Sequence, residues 1–145
     1  MRFTKTLTLL CLGLGTAALA HGGVKNQAVM ERMTLMTDIK EAMAVLGNMA
    51  KGKTPHDAAQ AEKARNALAK HAAQIPELFE TPASDPKSEA RPDIWLDWPD
   101  FMAKAGAMEE AAKALDPTNL EALRAGMGAL GGSCSGCHKP YRIEK

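Results

Sequence analysis

Residues 116–142 read DPTNLEALRAGMGALGGSCSGCHKPYR, and their spacing decides the fold. Asp116-Pro117 is a helix start, with Asp as N-cap and Pro at the first helical position. Leu120, Leu123, Met127, Leu130, Cys134, Cys137 and Tyr141 then follow at steps of 3, 4, 3, 4, 3 and 4. That is the stripe of an amphipathic helix packed against neighbours. Both cysteines fall on the stripe, and His138 lies one turn beyond Cys134. Gly126, Gly128, Gly131 and Gly132 lower helix propensity here. A flat group lying close to the backbone is one physical reason for them; fraying is the other.

Cys134-Ser135-Gly136-Cys137-His138 is a C-x-x-C-H run, the signature of covalent haem attachment. Its two thiols can add to the two vinyl groups, which leaves the adjacent imidazole to take an axial position on the iron. Other uses of C-x-x-C fit less well. A thioredoxin-like redox motif belongs in a βαβ context. A structural zinc site needs four ligands at close spacing, and His21, His56 and His71 are isolated from this run. A simple disulfide is the remaining alternative.

Working outward, the same periodicity recurs. Ile94, Trp98, Phe101, Ala105, Met108, Ala112 and Leu115 step by 4, 3, 4, 3, 4 and 3, which predicts one helix before the last. Thr54-Pro55 repeats the N-cap signal. The helix it opens carries Ala58, Ala61, Ala64, Leu68, Ala72 and Ile75, and should bend or end near Pro76. Its small residues allow a neighbour to come close. A first helix runs from about Val24 to Met49, with Val29, Met33, Met36, Met43 and Leu46 on one broad face. Lys51-Gly52-Lys53 is a turn, and residues 81–91, with Pro82 and Pro86, form a longer crossover. No segment reads as a strand. The expectation is an all-α fold: an antiparallel four-helix bundle with haem on the C-terminal helix.

Residues 1–20 read as a cleaved signal peptide, with Arg2 and Lys5 ahead of an apolar run from Leu7 to Leu14 and Ala18-Leu19-Ala20 as the cleavage site. The run is shorter than the roughly 20 residues a membrane span requires. Cleavage after Ala20 leaves residues 21–145 as one domain of 125 residues and removes two basic side chains, so 16 basic residues face 17 acidic ones. That balance favours neither nucleic acid nor an anionic membrane. Of three cysteines, only Cys134 and Cys137 remain, and both belong to the motif.

With these elements in order, the chain resembles the cytochromes c′, the class II c-type cytochromes. The resemblance is carried by Arg32-x-x-x-Met36, by the turn Lys51-Gly52-Lys53-Thr54-Pro55-His56-Asp57, by Ile94-Trp95-Leu96-Asp97-Trp98, and by Cys134-x-x-Cys137-His138-x-x-Tyr141-Arg142. It covers the whole mature chain. It implies haem c, one per chain, held by Cys134 and Cys137, with His138 as proximal iron ligand. It puts Met36 at the distal position, as in the low-spin branch, and Arg32 near the haem propionates. Lys25 and Lys40 are other cations that can serve those propionates. It also implies an Arg142 near the proximal pocket.

The family divides by its sixth ligand. A methionine there makes a six-coordinate electron carrier, and His/Met ligation raises the reduction potential. An apolar side chain there leaves a five-coordinate iron that binds NO or CO. Met30, Met33, Met43 and Met49 on the same helix can instead be core gap-fillers. The expectation is a periplasmic monohaem cytochrome acting in electron transfer, not an enzyme, with the gas-binding form as the alternative. Its partners are then redox proteins, with no nucleic acid and no stable membrane insertion. The family resemblance also allows a homodimer.

Overall fold

A computed structural model describes residues 22–144, so the expected signal peptide lies outside the described residues. The elements are α1 (Gln27–Ala50), α2 (Ala58–Phe79), the single turn α3 (Asp93–Leu96), α4 (Trp98–Ala114) and α5 (Leu120–Tyr141). The four long helices pack in a ring: α1 on α2, α2 on α4, α4 on α5, and α5 back on α1. Helices that follow one another in the chain are neighbours in this ring, as in an antiparallel bundle, with one longer connection at residues 80–92. The expected four-helix architecture is the one observed.

Side-chain caps set the helix starts. Asn26 Oδ1 accepts from the Val29 amide, Asp57 from Gln60, Asp97 from Asp100 and Asn119 from Ala122. Two starts therefore lie three residues beyond the expected ones. Thr54-Pro55 and Asp116-Pro117 shape the preceding turns instead, because a residue before proline is held extended. Asp116 caps Thr118, whose amide lies 2.9 Å from its Oδ1. Gly52, at φ 71°, supplies the left-handed residue that closes the α1–α2 turn.

Two helices differ from expectation. The segment from Ile94 to Leu115 is not one helix, since Asp97 leaves helical geometry at φ −127°, ψ 59° and caps α4. Pro99 sits in the first turn of α4, where its missing amide hydrogen costs nothing. Conversely, α2 does not stop at Pro76 but runs on to Phe79. Buried Phe79 anchors that last turn, and Arg32 occupies carbonyls at its end.

The core is continuous through the bundle, with Val29, Leu46, Leu68, Ile94, Leu123 and Leu130 fully buried. Ala61, Ala64 and Ala72 are buried as expected and bring α2 close to its neighbours. Of the four glycines of α5 singled out above, only Gly126 faces a close neighbour: a Cβ there would overlap the Leu115 side chain. The other three face open space.

The 80–92 connection is tied down at both ends. At its middle, Asp85 accepts from the amides of Lys25 (2.9 Å), Asn26 (3.1 Å) and Lys87 (2.9 Å). It thereby joins the crossover to the start of α1. The Lys87 amide, then that of Lys25, hold its carboxyl below the usual range. A carboxylate so depressed stabilises the fold above its unfolded pKa, about 4, and the contribution is lost as pH falls through the folded value. Asp85→Asn is expected to melt several degrees below the parent at pH 7. The gap should close as the pH drops below about 4, as circular-dichroism melts across that range will read.

Candidate haem site

Cys134, Cys137 and His138 occupy successive positions along the last two turns of α5, and all three line one cavity of about 440 Å³. The helix forms because Asn119 caps it and Leu123, Leu130 and Tyr141 bury its inner face. The two cysteines are half-buried free thiols, while His138 keeps an exposed side. α1 forms the facing wall with Met33, Met36 and Met43, α2 adds Ile75 and Phe79, and α4 adds Phe101 and Met108. The first-helix face expected from the sequence is thus divided. Val29 and Leu46 enter the core, while the three methionines stay half-buried along the cavity.

Burial pushes the Cys134 thiol up and the Cys137 thiol up to about 11, Asp100 and Cys134 adding to the latter. Burial, then the Arg142 charge, lower His138, with Glu89 opposing. The site therefore presents neutral thiols and an imidazole favoured in its neutral, metal-binding form.

Several side chains hold this arrangement. Tyr141 is buried on the cavity wall and donates to Asp100 Oδ2 at 2.6 Å. Burial and that carboxylate raise its phenol well above its ordinary value. Its ring meets Phe101 edge-on at 5.4 Å. Past Tyr141 the chain is clasped to the crossover. The Arg91 amide donates to Tyr141 O, the Ile143 amide donates to Glu89 O, and Arg142 Nε and Nη2 both meet Glu89 Oε2, at 2.7 and 2.6 Å. Arg142 thus stands beside the cavity as the resemblance implies, neutralised by Glu89. The sequence held no signal for Glu89 or for Lys104, which lines the α4 side.

Met36 lines the cavity as expected of a distal residue, but so do Met33 and Met43. Arg32 also reaches the lining, yet its bonds point elsewhere. It is 3% exposed. Its Nε donates to Leu78 O at 2.7 Å, Nη1 to Ala83 O at 3.4 Å and Nη2 to Thr81 O. Its guanidinium also lies over the rings of Phe79 and Trp95, 4.9 and 5.3 Å from their centroids. These bonds fasten the end of α2 and the crossover to α1, while the same side chain lines the cavity.

The cavity suits a haem. Its walls are largely apolar, and among the described residues four cationic side chains, Arg32, Lys40, Lys104 and Arg142, line it against one carboxylate, Glu89. A macrocycle with two carboxylates has that complement. No cluster of three or more His, Cys, Asp or Glu side chains among the described residues suits a bare metal ion.

A helical bundle that offers two thiols and an imidazole from one helix to such a cavity defines a protein of covalently bound haem. Residues 27–142 match the model of the family described as Cytochrome C', and the chain belongs to the cytochrome c′ family, which binds covalently attached haem c. A cytochrome c-554 from Cereibacter sphaeroides is 38% identical over 150 residues, covering 98% of this chain and 98% of its own. A cytochrome c-556 from Agrobacterium tumefaciens is also 38% identical, over 87% of this chain and 99% of its own. The solved nitric oxide complex of a cytochrome c prime variant from Alcaligenes xylosoxidans superposes with a TM-score of 0.71 at 31% identity, covering 81% of this chain and 94% of that one.

Proposed function

We propose that this protein is an electron-transfer cytochrome of the cytochrome c′ family, with His138 and Met36 as the two iron ligands and Cys134 and Cys137 as the thioether links. The haem supplies a one-electron iron couple. The protein's part is to hold both ligands rigidly, so that little reorganises when charge changes. Tyr141, bonded to Asp100, and the clasp between Glu89 and Arg142 serve that rigidity around His138. A thioether is soft and neutral, and paired with imidazole it raises the reduction potential. No bond in a substrate is made or broken, so the protein is not read as an enzyme.

The observation that carries this reading is Met36 on the wall of the cavity that also holds the C-x-x-C-H residues. The signal-like residues 1–20 support export to the periplasm, where redox proteins are the partners. Among the described residues no helix is long and apolar enough to cross a membrane.

A second reading has its own support. The structural neighbour from Alcaligenes xylosoxidans is a nitric oxide complex, and a five-coordinate form of this chain binds NO or CO instead. Optical spectra of the oxidised and reduced holoprotein separate the two. Electron transfer predicts low-spin spectra in both states and slow or absent CO binding to the reduced protein. A high-spin reduced spectrum with rapid CO uptake selects gas binding.

A further inference from the structure

His138 lies between two concavities. It lines the haem cavity, and it also lines an open groove on the exposed side of the last turns of α5, beside Gly132, Ser135, Gly136 and Lys139. An imidazole has a nitrogen on either side of its ring, and one of them takes the iron. The other then carries a hydrogen, which a ligating histidine gives to a carboxylate, a backbone carbonyl or water. That partner sets the orientation of the ring and the basicity of the ligating nitrogen.

Two carboxylates reach the groove, those of Glu89 and Glu144. Of the two, Glu89 also lines the haem cavity, and the residues common to both concavities are Glu89, His138 and Arg142. Glu89 is fixed there at both its main chain and its side chain. Its carbonyl accepts from the Ile143 amide at 2.8 Å, and its Oε2 takes Arg142 Nε at 2.7 Å and Nη2 at 2.6 Å. The Arg142 amide in turn donates to His138 O at 2.9 Å. The carboxylate is thus fastened to the helical turn that carries His138, and its charge acts on that imidazole. Glu144, by contrast, is exposed beside the C-terminus. A carboxylate has about four acceptor sites, so the two bonds from Arg142 do not exhaust it.

We propose that Glu89 is the positioning residue of the axial histidine: its carboxylate accepts the hydrogen on the His138 nitrogen turned away from the iron, and Arg142 holds that carboxylate in place. The bond stops the ring from turning and makes the ligating nitrogen more basic, which favours the oxidised iron. The positive charge of Arg142 works in the other direction. The inference rests on His138 as an iron ligand and is the same for either reading of the sixth position.

The test follows the ring N–H of His138 by NMR in the full-length holoprotein, with the reduction potential alongside. Glu89→Ala is expected to speed exchange of that hydrogen with solvent at least about tenfold, since its bonded partner is gone. It should also raise the potential. Arg142→Gln breaks the same ion pair but leaves the carboxylate, so exchange should stay slow and the potential should fall. Glu89→Gln keeps the volume and removes the charge, and should raise the potential even if the alanine variant does not fold. Exchange that is unchanged in Glu89→Ala, or equally fast in Arg142→Gln, overturns the proposal, and so does a potential that does not rise in Glu89→Gln. A parent protein whose His138 signals carry no haem-induced shift overturns the ligation on which the inference rests.

Discussion

Met36→Leu is expected to abolish the low-spin spectrum in both oxidation states and to open the reduced protein to CO, with affinity raised at least about tenfold, because a strong-field thioether no longer holds the sixth position. Leucine keeps nearly the same volume, so the wall stays filled and the fold should lose less than about 1.5 kcal/mol. The spectral change then reports ligation and not collapse. The reduction potential should fall in the same variant, since a His/Met pair favours the reduced iron. Met33→Leu and Met43→Leu are the matched controls, because both side chains share the cavity wall with Met36. Each should leave spectrum and potential unchanged. A Met36→Leu protein indistinguishable from the parent sinks the electron-transfer reading, and the same loss in Met33→Leu or Met43→Leu instead moves the ligand to that residue.

Arg32→Met carries the largest expected loss of stability. Hydrogen bonds to a charged donor contribute roughly 1.5–3 kcal/mol each, and three carbonyls lose theirs together. Those of Leu78, Thr81 and Ala83 lie near the surface and recover part of the difference from water. The cation also leaves the faces of Phe79 and Trp95, worth about 0.5–1 kcal/mol each. Methionine keeps the apolar stem buried, so the net loss is set near 3 kcal/mol, or about 10 °C in melting temperature for a chain of this size. Thermal melts of the holoprotein read it directly. A variant melting within about 2 °C of the parent would falsify the fastening role and leave the last turn of α2 anchored by buried Phe79.

The bundle was largely legible because its signals are local. Steps of three and four mark a buried face within one helix, whatever packs against it. The C-x-x-C-H residues fall within five positions, so a single helix turn brings them to one side. Helix starts were less legible. Thr54-Pro55 and Asp116-Pro117 carry the same dipeptide signal as true N-caps, but Asp57 and Asn119 stand three residues on with side-chain oxygens of their own. Pro99 is the local sign that the Ile94–Leu115 stripe breaks at Asp97.

The charged groups around the cavity were the least legible part. Arg32 stands out in the sequence through the family resemblance, and only the folded chain brings Leu78 O, Thr81 O and Ala83 O to its guanidinium, across 46 to 51 residues. Glu89 meets Arg142 across 53 residues, and Asp100 meets Tyr141 across 41. Such pairings follow from how the crossover docks on α5, which no periodicity encodes. From the sequence alone came an all-α bundle and a helix bearing two thiols and an imidazole, because helical spacing and covalent chemistry act over a few residues. The tertiary structure decided which cations are held by other parts of the protein and which one, Lys40, lines the cavity with no partner among the described residues, because charge pairing depends on contacts between segments far apart in the chain.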